Sequence, residues 1–369
     1  MRQTPFACAL LALCLALAPL HGADQPEPSG PPAAAESPES ADARDFLGLG
    51  GRTQWLGVLT EAANSLDAPT RARAAFLMGQ ICAGADERQR GQCEKALTAL
   101  AEDPDRSVRI HAGIALGHLG HESAAPTCAA ALVDGPRWRR YYAVVALAGI
   151  GTSGARGILV GGLDGQSQYI RDAADYFLLP PDDRPRNPGR EAEYAVASPG
   201  PPPPAGTAPE AIFAAAADAL WVMGDHYWHS NGHEDCIRIG LAATFLDPTH
   251  VGAWDGAAWL AWSAGRDAEA IRIYLDGLNA NPTDYELYFE LGFHLYNTRR
   301  YRAALPYLRR ATELPCPPLA FRMYAHCLQK AGQLDKCLEV WAGLLEQTPR
   351  DQVVIQNHAR VKRLVETAR

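Results

Sequence analysis

Two internal repeats of different period constrain the fold of this chain more than any other feature of its sequence. In the first half, an arginine and, three residues later, an alanine recur four times: Arg71, Arg109, Arg140 and Arg171, with Ala74, Ala112, Ala143 and Ala174. The copy from Asp103 to Gly120 combines a turn containing Asp and Pro with apolar residues at helical spacing. A pair of short helices cannot bury both of its apolar faces alone, so such units must stack side by side.

The second half repeats at a longer interval. Pro248 and Pro282 are 34 residues apart, and the same frame places small residues at one position of each unit: Cys236, Ala270, Ala304 and Cys337. Four units are predicted at 217–250, 251–284, 285–317 and 318–351, with an amphipathic helix from Val353 to Ala368 after them. The predicted fold is therefore all-α and consists of two α-α superhelical solenoids.

The first set of units resembles HEAT repeats, specifically the short variety found in phycobilisome-lyase-type HEAT proteins. We expect a shorter apolar helix before each arginine helix, for example from Glu94 to Ala101. In this family a turn aspartate and a helix arginine commonly form a ladder between neighbouring repeats. The six-residue pairs Asp103/Arg109 and Asp134/Arg140 match this pattern, and the resemblance gives them a structural role.

The second set resembles tetratricopeptide (TPR) repeats, which implies a groove lined by the first helix of each unit. The corresponding residues here are Trp221, Asp225, Trp228, His229, Asp255, Trp259, Trp262, Glu286, Phe289, Phe293, Tyr296, Arg322, His326 and Lys330. So many aromatic residues favour an extended polypeptide as the ligand. Because a large apolar surface is costly to leave in water, the alternative is that the HEAT-like block, the proline linker or the last helix covers it.

Composition divides the rest of the chain. Residues 1–23 resemble a signal peptide with an apolar run of about 12 residues, shorter than the ~20 that a membrane-spanning helix needs. Residues 24–43 are predicted to be a disordered leader, and the proline-rich residues 180–209 a linker. The HEAT-like domain is thus predicted at 44–179 and the TPR domain at 210–369, in a periplasmic or secreted protein.

Seven cysteines remain once the signal peptide is removed. In an oxidising compartment, Cys82 and Cys93 are the best candidates for a disulfide, because they flank a loop between two predicted helices. The alternative is that they are small buried apolar residues.

The chain contains no arrangement that predicts catalysis, a metal or a cofactor. Gly149 to Gly154 fit a dinucleotide-binding pattern, but a helix precedes them where that motif requires a strand. His226, His229 and His233 have metal-like spacing but also fit ordinary repeat positions. The net charge of −8 argues against nucleic acid as a partner.

These observations predict a non-catalytic scaffold of the cell envelope that binds extended polypeptides or partner helices. The alternative that the HEAT resemblance implies is an accessory or lyase-like protein for ligand or chromophore attachment. A third hypothesis is a purely structural envelope protein that associates with itself, and the sequence leaves the oligomeric state open.

Overall fold

The computed structural model is built from α-helices and short 3₁₀ segments over the part of the chain that it describes, with no strand there. The described residues are 53–82, 85–185, 204, 206–229 and 232–368. The predicted all-α fold is confirmed for them. The chain forms two compact units, Met1–Gly252 and Ala253–Arg369, called unit 1 and unit 2 below.

Unit 1 contains ten helices in its described residues. They are α1 (Leu56–Ala62), α2 (Ala68–Ile81), α3 (Glu87–Leu100), α4 (Arg106–His118), α5 (Ala125–Asp134), α6 (Arg137–Ile150), α7 (Ser153–Gly161), α8 (Gln168–Leu178), α9 (Pro209–His229) and α10 (His233–Leu246). The first eight form the four predicted HEAT-like pairs. The last two form the first TPR-like pair.

Aspartates fix where several of these helices begin. The side chain of Asp67 accepts a hydrogen bond from the backbone of Thr70, and Asp105 does the same for the start of α4. Asp86 and Gln89 form a reciprocal capping box at α3. This box explains why α3 starts at Glu87, so the prediction of a shorter helix from Glu94 is wrong.

The glycine-rich segment after α6 is a turn between helices. Gly151 ends α6 with φ 74°, a left-handed conformation that favours glycine. Thr152 then caps α7 by accepting a hydrogen bond from the backbone of Ala155. The expected turn is therefore confirmed at this position.

The first TPR-like pair packs within unit 1, where α10 lies against α6. Its helix α9 starts at Pro209, eight residues before the predicted repeat at 217. The extra turns at the start of α9 add the buried residues Ile212 and Phe213. The domain bounds drawn from composition stay a prediction.

Unit 2 holds the remaining TPR-like helices. They are α11 (Val251–Ser263), α12 (Asp267–Ala280), α13 (Tyr285–Asn297), α14 (Tyr301–Thr312), α15 (Pro318–Lys330), α16 (Leu334–Gln347) and α17 (Gln352–Ala368). Helices α13 to α17 each pack on the next along the chain. The last helix supplies Val354, Val361 and Val365 to a core around the fully buried Trp341. It therefore packs against the last pair and covers its apolar side.

Among the described helices, none combines the length and apolar character that crossing a bilayer would require. The predicted signal peptide and leader, residues 1–43, lie outside the described residues, as does the proline run before Pro204.

Candidate polypeptide-binding surface

Helices α11 and α13 of unit 2 carry most of the predicted groove residues at helical spacing. On α11, Trp259 and Trp262 follow Asp255 by four and seven residues, which puts all three on one face. On α13, Phe289, Phe293 and Tyr296 follow Glu286 in the same manner. We call Trp259, Trp262, Phe289, Phe293 and Tyr296 the aromatic stripe.

The stripe combines a packed centre with more open members. The rings of Phe289 and Phe293 are parallel, with centroids 6.1 Å apart, and only 7% and 6% of these residues is exposed. Trp259, Trp262 and Tyr296 are half-buried. The stripe thus offers partly exposed ring surface beside a rigid base.

Three carboxyl groups lie on the same two helices. Asp255 and Glu290 are buried, and Glu286 is half-buried one helical turn before Glu290. Burial raises the pKa of Asp255 to about 7, against a lowering effect of the hydrogen bond from the Tyr274 hydroxyl. Burial, and then the charges of Asp255 and Glu286, raise the pKa of Glu290 well above its usual value. We call Asp255, Glu286 and Glu290 the acidic cluster.

A polar network in which His294 is buried and Asp267 and Arg300 are partly exposed lies beside Trp262. The Nε2 atom of His294 lies 2.9 Å from Asp267, and Arg300 donates two hydrogen bonds to the same carboxylate. The His294 ring meets the Trp262 ring edge to face, with centroids 5.1 Å apart. Burial lowers the pKa of His294, although Asp267 opposes the shift. The network therefore supplies His294 as a packing partner for one aromatic residue of the stripe.

The groove residues predicted in the fourth TPR-like repeat, Arg322, His326 and Lys330, are less available to a ligand than the sequence predicted. Arg322 donates to Asp351 at the start of α17, and the His326 ring packs against Trp341, with centroids 5.3 Å apart. Lys330 is exposed. Two of the three predicted residues here thus make contacts within unit 2 itself.

In unit 1, the groove residues predicted on α9 are half-buried or exposed. Trp221 packs on His250, with ring centroids 5.7 Å apart, and the Trp228 ring lies 5.1 Å from that of His233. Asp225 and His229 are one helical turn apart, and the Nε2 atom of His229 lies 3.5 Å from the Asp225 carboxylate. Over the described residues, no group of three or more histidine, cysteine or acidic side chains has a geometry suited to a metal ion.

The HEAT-like helices of unit 1 present an aromatic surface that α10 already covers. The Phe245 ring stacks on His111 at 4.4 Å and lies 5.8 Å from Phe76 and 5.3 Å from Trp138. The Arg73 side chain also donates to the Phe245 carbonyl oxygen, 3.0 Å away. This surface is therefore occupied by the chain itself.

Arg238 of α10 makes buried polar contacts where α10 packs against the HEAT-like helices. Its guanidinium donates to the hydroxyl groups of Tyr142 and Tyr169, each at 2.9 Å, and lies over the Tyr141 ring at 4.0 Å. Asp235 lies 3.3 Å from the same guanidinium and accepts from the Tyr169 hydroxyl at 2.7 Å. These contacts connect α6 and α8 to the first TPR-like pair.

The first rung of the predicted ladder joins Asp103 to the preceding repeat. Arg71 donates two hydrogen bonds to the Asp103 carboxylate, at 2.7 and 2.9 Å, and this pairing lowers the pKa of Asp103. Arg109 donates instead to the carbonyl oxygens of Asp103 and Pro104. Arg109 therefore stabilises the turn that precedes α4, within its own repeat.

The next rungs use different partners. Asp134 pairs with Arg106 at 3.1 Å, in an exposed contact. Arg140 donates to the Gln166 side chain at 3.0 Å, and Gln166 in turn donates to the carbonyl oxygen of Leu132. The ladder therefore uses a carboxylate as acceptor in its first two rungs and an amide in the third.

The structure joins Cys82, at the end of α2, to Cys93 of α3 by a disulfide. The described cysteines Cys128, Cys236, Cys316, Cys327 and Cys337 are free thiols. Two important residues of the surfaces above were missed by sequence reasoning. Glu290 lies outside the family groove positions given above, although its four-residue spacing from Glu286 places both on one side of the helix. Arg238 had no such signal for its contacts with the HEAT-like helices, because its two tyrosine partners are 69 and 96 residues away in the sequence.

Paired helices in sequence order, with an aromatic face on successive first helices, define a repeat protein of the α-solenoid class. Residues 56–148 and 93–177 match the family model for HEAT repeats. This part of the chain carries HEAT repeats, and the helical pairs after it are TPR-like, so both predicted resemblances are confirmed. Comparison with curated proteins finds no sequence match.

Two solved structures illustrate the likeness. YrrB, described as a TPR protein with an unusual peptide-binding site, is 26% identical over 41% of this chain and 78% of YrrB, with a TM-score of 0.34. Yeast Tom70 is 11% identical over 84% of this chain, with a TM-score of 0.36. The chain spans 62% of the length of Tom70.

Proposed function

We propose that this protein is a non-catalytic, protein-binding scaffold of the cell envelope, and that unit 2 binds an extended polypeptide along the aromatic stripe. The observation that carries the proposal is the stripe itself. Trp259, Trp262 and Tyr296 are only half-buried, beside the packed Phe289 and Phe293. Flat rings held by a rigid helical base give large contact area to apolar or proline-rich chain segments at a low entropic cost.

Unit 1 has a different role in this proposal. Its HEAT aromatic surface is filled by Phe245, and Arg238 holds α10 in place. A partner could bind there only by displacing α10. We therefore assign unit 1 a supporting role and unit 2 the ligand-binding role.

The proposal that the protein is not an enzyme rests on its solenoid fold. Stacked helical pairs offer long open surfaces and few enclosed pockets in which a substrate could be dehydrated. The location is likewise proposed. Residues 1–23 have the pattern of an export signal, and the Cys82–Cys93 disulfide suits an oxidising compartment outside the cytoplasm.

A double substitution, Trp259→Ala with Trp262→Ala, tests the function. The full chain would be titrated with a panel of capped proline- and leucine-rich peptides, and binding followed by fluorescence anisotropy. We expect the affinity of the best peptide to fall at least about tenfold, because two aromatic contacts are lost. Circular dichroism should show unchanged helix content.

Tyr307→Ala is the matched control, since Tyr307 is a half-buried aromatic residue on the second helix α14 of the same unit. It should leave peptide affinity unchanged. Equal affinity of the wild type and the double variant for every bound peptide would refute the stripe as the binding surface. Cleavage after about residue 23 in the native host, measured by mass spectrometry of the mature protein, tests export.

A further inference from the structure

The acidic cluster of unit 2 lies on the same helical faces as the aromatic stripe. Asp255 precedes Trp259 by one turn on α11. Glu286 and Glu290 alternate with Phe289 and Phe293 along α13. The contact between Trp262 of α11 and His294 of α13 places these two helices side by side, so the three carboxyl groups lie on neighbouring helices. The charge of Glu286 adds to the effect of burial in raising the pKa values of Asp255 and Glu290.

Glu290 lacks a partner that its burial demands. It is 7% exposed, and none of the described residues donates a hydrogen bond to it or forms an ion pair with it. Asp255, also 7% exposed, accepts one hydrogen bond, from the Tyr274 hydroxyl at 3.0 Å. Buried carboxyl groups in proteins are almost always paired with a donor or a cation. The donor for Glu290 must therefore come from solvent or from a group outside the chain.

The chemistry of the cluster selects a cation. Three carboxyl groups repel an anionic ligand, such as the terminal carboxylate of a peptide. The described residues provide no metal-binding geometry, which argues against an inorganic ion. An ammonium or guanidinium group, in contrast, donates several hydrogen bonds and is also attracted by the faces of neighbouring aromatic rings.

We propose that Asp255, Glu286 and Glu290 bind a lysine or arginine side chain of the polypeptide that lies along the aromatic stripe. This inference rests on the proposed function and adds its specificity: the ligand is an apolar segment with a basic residue at one fixed position. Burial keeps the pKa values of Asp255 and Glu290 raised in the empty protein. The empty cluster thus avoids holding several unpaired charges, and an arriving cation supplies the missing partner.

Selection from a displayed library of random octapeptides, with the full chain as bait, tests this inference. We expect the wild type to enrich apolar peptides with Lys or Arg at a single position. The variant Asp255→Asn with Glu290→Gln should enrich apolar peptides without that basic residue. Glu339→Gln, at an exposed carboxylate of α16, is the control for general acidity and should select as the wild type does.

An enriched peptide then gives a quantitative test. Replacing its basic residue by norleucine should weaken binding to the wild type about 10- to 100-fold, as expected for loss of charged hydrogen bonds. The same replacement should change the affinity of the double variant less than about threefold. Thermal unfolding checks that the variant is folded, and neutral amides at these positions should keep or raise its midpoint.

Each other outcome overturns the inference in a distinguishable way. Enrichment of apolar peptides with no basic position in the wild type would refute the cation site and leave the aromatic groove intact. Basic peptides that bind the double variant equally well would place the cation elsewhere. Displacement of the bound peptide by millimolar Ca²⁺ or Mg²⁺ would make the cluster a metal site. If no peptide is enriched by the wild type, both the inference and the proposed function fail.

Discussion

The substitution Arg238→Met removes the central contact by which α10 is held on the HEAT helices. Methionine retains the apolar stem but no donor. It leaves the Tyr142 hydroxyl without its 2.9 Å donor, and the buried Asp235 carboxylate with only the Tyr169 hydroxyl among the contacts described above. Loss of the guanidinium from above the Tyr141 ring adds to the effect.

The cost follows from the burial of these groups. The Arg238 side chain is fully buried, and the Asp235 side chain is 10% exposed. Removing one partner of a buried charged pair destabilises a protein by about 3–5 kcal/mol, because the remaining charge is left without compensation. We therefore expect the free energy of unfolding of unit 1 to fall by about 3–5 kcal/mol.

Urea denaturation followed by hydrogen–deuterium exchange assigns the loss to a region. Peptides from α9 and α10 should exchange faster in Arg238→Met, whereas those from α13 to α16 should not change. Adding Asp235→Asn should recover part of the loss, because the unpaired charge is then gone. Arg156→Met, at an exposed arginine of α7, is the control. A loss below about 1 kcal/mol in Arg238→Met, or unchanged exchange in α10, would refute this reasoning.

Two further predictions concern protonation and packing. Burial lowers the pKa of His111 to about 3 and that of His118 to about 4. As the pH falls, both histidines are therefore protonated in the unfolded chain before they are protonated in the folded one. The stability of unit 1 should therefore be complete only well above the unfolded-state histidine pKa of about 6.5, and it should fall by about 1 kcal/mol per histidine between pH 7 and 5.5, measured by urea denaturation. Gly292→Ala should lower the unfolding free energy of unit 2 by about 1–3 kcal/mol, because its Cβ would lie 2.5 Å from Leu308. Gly224→Ala, at the same repeat position with no neighbour closer than 4.0 Å, should be neutral or stabilising in thermal melts.

Each of these has a clear contrary result. Constant stability of unit 1 from pH 7 to 5.5 would show that the two histidines are not buried in neutral form. His111→Phe should flatten part of the pH dependence, because the ring packing on Phe245 remains without the titrating group. Equal melting temperatures for the two glycine variants would contradict the close approach at Gly292.

The helical pairs and their order were determined by the sequence alone. Arginine and alanine recur at intervals of 38, 31 and 31 residues, and small residues at intervals of 34, 34 and 33. These intervals predicted both sets of repeats, because stacked helices must bury apolar residues at a nearly fixed period. The sequence also contains the information for some helix ends. The capping box of Asp86 and Gln89 lies within four residues of sequence and marks the start of α3, which the apolar pattern alone places wrongly at Glu94.

Only the tertiary structure decided which surfaces are filled and which remain open. Arg238 meets Tyr142 and Tyr169 across 96 and 69 residues of sequence, and no local pattern encodes such a pairing. Glu290 looks like any charged residue on a helix until its surroundings show a buried carboxyl group without a donor. Periodicity specifies which side of a helix is apolar, but long-range packing determines what that side contacts and which polar groups are left unpaired.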